Sequence, residues 1–140
     1  DVAIKCGADG IHVGQHDMAA ANVRSAIGSD MILGVSAQTV EQAIEAERSG
    51  ADYLGVGSVF TTSTKLDADF VSREELVNIC KAVSIPVVAI GGIYSHNILQ
   101  LKGTGVDGVA LVSAIFSSND IRSECRALRA LSERMVFGED

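Results

Sequence analysis

The chain reads as a series of short apolar runs, each followed by polar or glycine residues. "CGADGIHVG" (residues 6–14), "SGADYLGVG" (49–57) and "TGVDGVALVS" (104–113) share one plan: a helical stretch ends at glycine, Ala-Asp or Val-Asp follows, and an apolar run begins. The glycine suits a helix C-cap, where the backbone turns to positive φ. The apolar run is continuous rather than alternating, which predicts a strand buried on both faces, as in a parallel sheet. "MILGVS" (31–36) and "PVVAIGGI" (86–93) predict two more strands between these copies. Helical spacing fills the gaps. Val40, Ala43 and Ile44 share a face, as do Leu76, Ile79 and Cys80, and later Ile121, Cys125 and Leu128. Asp30, Ser72 and Ser95 mark boundaries as turn or cap residues.

Five strand–helix units in strict alternation predict an α/β fold with a parallel sheet. No Gly-x-Gly-x-x-Gly follows any of the strands, which disfavours a dinucleotide-binding sheet. A (β/α) barrel of the TIM type fits better. Eight units take roughly 250 residues, fewer when compact, so five units are the greater part of such a barrel. The chain opens on "DVAIKCG", inside a helical pattern and without an initiator methionine. Residues 1–140 are therefore expected to be the C-terminal part of a single barrel domain, an incomplete arc of about five units.

Composition narrows the partners. Hydrophobic residues make up 47% of the 140 residues and charged residues 21%, a globular balance far from disorder. No apolar run approaches the roughly 20 residues that span a bilayer, and no membrane partner is expected. A net charge of −7 argues against nucleic acid as a partner. Cys6, Cys80 and Cys125 form no CxxC pair or metal spacing. Thiols without a pairing pattern fit a reducing cytoplasm.

Polar residues collect where the strands end, the end at which barrels place their active sites. The first strand gives Gln15, His16 and Asp17, the second Ser36 and Gln38, the fourth Gly91-Gly92 and the fifth Ser113-Ala114. The third gives "GVGSVFTTSTKLDA" (55–68), three threonines, serines and one lysine after an apolar run. Each has a plain structural reading. Asp17 suits a helix N-cap before "MAAANV", Ser36 a turn, Gly91 and Gly92 tight-turn glycines, Ser113 a cap, and the threonines a polar loop with Lys65 in solvent. His12 reads as a packed strand histidine. Taken together at one barrel end, they read better as a site for anions. Gly91-Gly92 and Ser113-Ala114 follow the last two strands, where barrel folds commonly bind phosphate. The hydroxyls and Lys65 would hold a second anionic group, and Asp17 would serve a hard divalent metal bridging phosphate oxygens. Two facing anionic ligands suggest a transferase.

The segments "ADGIHVGQHDM", "GVSAQT", "ADYLGVGSVFTTSTKLDA", "IPVVAIGGI" and "GVDGVALVSAIF" together resemble the thiamine-phosphate synthase (thiamine-phosphate pyrophosphorylase) family, in order and over nearly the whole chain. The resemblance implies an enzyme that joins 4-amino-2-methyl-5-hydroxymethylpyrimidine diphosphate to a thiazole phosphate. Thiamine phosphate and pyrophosphate are the products, and Mg²⁺ is required. It makes Asp17 a Mg²⁺ ligand. Thr62, Thr64 and Lys65 hold the pyrophosphate, and Ser36 lies beside the pyrimidine. Gly92, Ser113 and Ala114 bind the thiazole phosphate. Lys65 and Ser36 are the catalytic candidates, in a dissociative reaction that needs charge stabilisation on the leaving group more than a base.

This chain departs from the family pattern at Gly57-Ser58, where Gly-Pro is usual, at Thr61-Thr62, where Pro-Thr is usual, and at Gln38, where His is usual. The family also carries a Gln-x-Arg-x-Lys cluster and a further Mg²⁺-binding aspartate ahead of the region matched here. Two alternatives stand beside this reading. One is a thiazole tautomerase paralogue, which uses a histidine at the position of Gln38 and lacks the full Thr-x-Thr-Lys motif; both features speak against it here. The other is a catalytically inactive phosphate-binding fragment, for which the deciding residues lie ahead of the matched region. An open barrel exposes a strand edge and apolar interior, so a homo-oligomer is expected.

Overall fold

The computed structural model describes residues 2–60 and 70–138. Five strands, β1 (Gly10–Val13), β2 (Ile32–Ala37), β3 (Tyr53–Val56), β4 (Val87–Ile90) and β5 (Gly108–Ala110), form one sheet in the order of the sequence. All four pairings are parallel. The helices are α1 (Val2–Cys6), α2 (Ala20–Ile27), α3 (Val40–Arg48), α4 (Arg73–Ala82), α5 (Ser113–Phe116) and α6 (Ile121–Phe137). The architecture is the expected open arc of a (β/α) barrel, five strands where eight would close it.

Strand side chains separate onto two faces. On the helix side, Leu33, Val35, Ala37, Leu54, Val56, Val87 and Ala89 are buried and share one core with Ala43, Leu76, Ile79 and Met135. The other face, which a closed barrel would fill, stands open in this chain. Ile32 is 52% exposed and Ile90 39% exposed there.

The glycine plan performs as the sequence predicts: Gly7, Gly50 and Gly105 all take positive φ, at 65°, 89° and 93°. Helix starts are capped by hydroxyls at two places. Thr39 accepts the Gln42 N–H ahead of α3, and Ser72 accepts the Glu75 N–H ahead of α4. The strict alternation fails once. Between β4 and β5 there is no α-helix but a 3₁₀ turn, Ile98–Leu101. Its buried anchors Ile98 and Leu101 lie three apart, the period of a 3₁₀ helix, and Gly103 and Gly105 follow too soon for an α-helix to extend.

Candidate active site

Inside the arc, three strands are joined by one imidazole. His12 on β1 has its Nδ1 2.9 Å from the Tyr53 hydroxyl of β3 and its Nε2 2.9 Å from the Ser36 Oγ of β2. The two rings are tilted at 45°, centroids 5.4 Å apart. Room for them comes from two glycines. A Cβ at Gly34 would lie 2.3 Å from Tyr53 and 2.4 Å from His12, and one at Gly55 would lie 3.0 Å from His12. His12 is therefore not packed in a core: it is exposed on the open face and makes two cross-strand bonds. Partial burial lowers its pKa, and the Asp17 carboxylate acts in the opposite sense. Neutral imidazole is the favoured form, and it holds Ser36 in place. Sequence reading alone left both His12 and Tyr53 out of the site. The available signal was the pair of glycines on neighbouring strands, which clear space on the inner face.

At the end of β1, Asp17 folds back on the strand. Its Oδ2 accepts the Gly14 N–H at 2.7 Å, and its own N–H donates to the Gly14 carbonyl at 3.2 Å. The N-cap reading fails, because α2 starts at Ala20 after Ala19 and has no side-chain cap. Gln15 donates from Nε2 to the Ser36 carbonyl at 2.6 Å, tying the ends of β1 and β2 together. Asp17 is an exposed hard-oxygen donor. Among the described residues no group of three His, Cys, Asp or Glu side chains converges on a metal. One carboxylate suits Mg²⁺, which keeps several waters and completes its shell with substrate phosphates, and does not suit an all-protein cage.

The ends of β3 and β4 are laced together. Val59 donates to the Ile90 carbonyl at 3.0 Å and Phe60 to the Gly91 carbonyl at 3.1 Å. The Ser58 hydroxyl donates to the Phe60 carbonyl at 2.7 Å, and Val71 returns to the Ser58 carbonyl at 2.9 Å. These bonds fix the described residues on either side of the threonine-rich segment 61–69. Thr62, Thr64 and Lys65 themselves lie outside the described residues. Gly91 and Gly92 have φ of 96° and 68°, and each passes close to the loop root. A Cβ at Gly91 would lie 2.3 Å from Ser58 Oγ, and one at Gly92 2.7 Å from the Phe60 carbonyl. Asn97, 8% exposed, braces the turn from below. Its Nδ2 donates to the Gly92 carbonyl at 2.9 Å and its Oδ1 accepts the Tyr94 N–H at 2.7 Å. After β5, Ser113 is the first residue of α5 rather than its cap, which is Val112. Ser113 is exposed, and Ala114 behind it is buried.

The structure thus brings His12, Ser36, Asp17, the Gly91–Gly92 turn and Ser113 to the C-terminal ends of the strands. Hydroxyls, glycine amides and one carboxylate in such an arrangement can bind anionic groups and a hard cation.

Comparison with known proteins agrees with this layout. The family described as thiamine monophosphate synthase matches residues 1–115. The thiamine-phosphate synthase of Ruminiclostridium cellulolyticum is 59% identical over 128 residues, 91% of this chain and 61% of that protein. That of Clostridium tetani is 51% identical over the same share of each. Among solved structures, the thiamine phosphate pyrophosphorylase of Pyrococcus furiosus superposes with a TM-score of 0.88 at 42% identity, over 97% of this chain and 65% of that one. The chain spans about three fifths of the length of the curated relatives it matches. On this evidence of sequence and fold, the chain belongs to the thiamine monophosphate synthase family.

Proposed function

We propose that this chain supplies most of the active site of a thiamine-phosphate synthase. The reaction joins 4-amino-2-methyl-5-hydroxymethylpyrimidine diphosphate to a thiazole phosphate and releases pyrophosphate. The observation that carries the reading is the lacing of Val59 and Phe60 to Ile90 and Gly91. It brings Phe60, the residue before the threonine- and lysine-bearing segment 61–69, against the Gly91–Gly92 turn, which supports reading the two as anion-binding elements of one rim.

In this reading, Thr62, Thr64 and Lys65 hold the diphosphate as it departs. Gly92 and Ser113, with the backbone at Ala114, hold the phosphate of the thiazole. Ser36, oriented by His12 and backed by Tyr53, lies beside the pyrimidine. Asp17, with oxygens of the diphosphate, would hold Mg²⁺, whose charge neutralises the leaving group. Departure before attack requires fixed positive charge and hydrogen-bond donors at the leaving oxygens, and this chain's loop and turn offer both. The setting is cytoplasmic in this reading. Among the described residues the three cysteines are free and no helix is long and apolar enough to cross a membrane. The exposed inner face makes association with further copies part of the proposal.

The test is pyrophosphate release by the 140-residue chain mixed with the portion of the R. cellulolyticum relative that it does not match. Release is expected only with both substrates and Mg²⁺ present. Absence of release, together with unmoved Gly91 and Gly92 amide resonances on addition of the thiazole phosphate, overturns the reading.

A further inference from the structure

His12, Gly34 and Tyr53 lie on one rung of the sheet, side by side on β1, β2 and β3. Ser36 stands two residues beyond Gly34 and therefore on the same face. Glycine in the middle of the rung lets the two outer side chains meet across it, His12 Nδ1 to the Tyr53 hydroxyl at 2.9 Å. The other ring nitrogen, Nε2, reaches Ser36 Oγ at 2.9 Å. Serine, histidine and a third polar group in line are also the outline of a nucleophilic triad, in which the imidazole takes the serine proton. The third member decides whether that can happen. A carboxylate only accepts, so it holds the proton on the near ring nitrogen and leaves the far one basic. A tyrosine can donate.

We infer that Tyr53 is a positioning residue that wires this trio in the opposite sense: its hydroxyl donates to His12 Nδ1, His12 Nε2–H donates to Ser36 Oγ, and Ser36 is left as a donor to the substrate. A neutral imidazole has one N–H and one lone pair, so two wirings exist. In the other, Ser36 donates to Nε2 and Nδ1–H donates to Tyr53. The two hydroxyls separate them. A phenol is the more acidic donor and, with its lone pair drawn into the ring, a weaker acceptor than the alkyl hydroxyl of serine. The first wiring uses each group in its better role, and the second uses each in its worse one. Partial burial favours the neutral ring that the wiring needs. The Ser36 hydroxyl makes no other hydrogen bond among the described residues, so its proton is free to turn to an acceptor atom of a ligand on the open face. Ser36 then orients and stabilises substrate and is not a nucleophile. The consequence for turnover rests on the reaction proposed above; the wiring itself does not.

Long-range proton–nitrogen correlation spectra of the isotope-labelled 140-residue chain decide the wiring. They are recorded at about pH 8, above the ordinary histidine range, with His12 assigned by the loss of its signals in His12→Gln. The Nε2–H form alone is expected. Tyr53→Phe keeps the ring and removes the donor, and should admit a measurable share of the Nδ1–H form. Ser36→Ala should leave the wild-type tautomer in place. A fluorophosphonate, which loses fluoride to a serine activated by a basic imidazole, should leave Ser36 unlabelled. In the reconstituted complex, Tyr53→Phe should lower kcat about tenfold, the scale of one hydrogen bond, with KM changed by less than about twofold. Four results would each overturn the inference: Nδ1–H in the wild type, an unchanged tautomer in Tyr53→Phe, phosphonylated Ser36, or wild-type kcat in Tyr53→Phe. If the complex releases no pyrophosphate while His12 is found as Nε2–H, the proposed reaction falls and the wiring stands.

Discussion

The Phe60 amide donates to the Gly91 carbonyl at 3.1 Å, one residue beyond the end of β4. The β3–β4 pairing thus continues past both strands as far as Phe60, the last residue before the threonine-rich segment. Gly92 fits against this lacing only because it has no side chain. With φ of 68° and the Phe60 carbonyl 2.7 Å from where a Cβ would stand, Gly92→Ala must displace the loop root. We expect a loss of about 1–3 kcal/mol in stability and weaker binding of thiazole phosphate, read by urea unfolding and by titration of the amide resonances. A variant with unchanged affinity would separate the turn from anion binding.

Lys65 bears most of the charge argument in the proposed reaction. In the reconstituted active complex, Lys65→Ala should lower kcat about a hundredfold, the loss of roughly 3 kcal/mol of transition-state stabilisation. Lys65→Arg should rescue poorly, because a planar fork does not replace a compact ammonium. Pyrophosphate release at saturating substrates decides it, and wild-type turnover in Lys65→Ala would remove the lysine from the mechanism.

His12 gives a pH signature. Burial holds its pKa below the ordinary histidine value, against the pull of Asp17. The folded state therefore binds fewer protons than the unfolded chain. The stability tied to neutral His12 is present above about pH 6.5, the unperturbed histidine value, and is lost as pH falls through the lowered folded value. Asp17→Asn removes the opposing carboxylate and should lower the His12 midpoint further in an NMR titration. A midpoint that rises in Asp17→Asn contradicts this electrostatic picture.

At the start of β5 the Asp107 carboxylate accepts the Val87 N–H of β4 at 2.8 Å, as that of Asp52 accepts the Leu33 N–H of β2 at 2.7 Å. Asp107→Ala leaves the N–H of Val87, a residue 2% exposed, without its acceptor and should cost about 1–3 kcal/mol. Asp107→Asn keeps an oxygen in place and should cost less. Chemical unfolding of the two variants distinguishes a bonding role from a general effect of charge.

Sequence reading reached the strands because continuous apolar runs between glycine turns have few other uses, and all five appear where those runs lie. It placed Ser36, Asp17 and the Gly91–Gly92 turn at one rim, where the structure has them, because strand ends in a barrel point the same way. It missed the 3₁₀ turn at Ile98–Leu101, where apolar spacing alone does not separate three residues per turn from 3.6. It misjudged His12 because burial on both faces was assumed, whereas in this chain the inner face is open. Tyr53 was passed over for a related reason. Its partner lies 41 positions away, and only the register of three strands brings them together. The aspartates of the repeat were legible as punctuation, but their cross-strand grip was not, since it depends on which strand lies alongside.

The two rims of the sheet present different groups, and the short strands keep them apart. Asp52 and Asp107 clip one rim, while the glycine turn and Ser36 face the other. A strand of four residues, such as β3 or β4, separates the rims by about 13 Å. Salt at physiological strength screens charge over about 8 Å. In the proposed reaction, a diphosphate arriving at the glycine rim meets amides, hydroxyls and the carboxylate of Asp17, with the far carboxylates of Asp52 and Asp107 largely masked, so a net charge of −7 is no bar to an anion there.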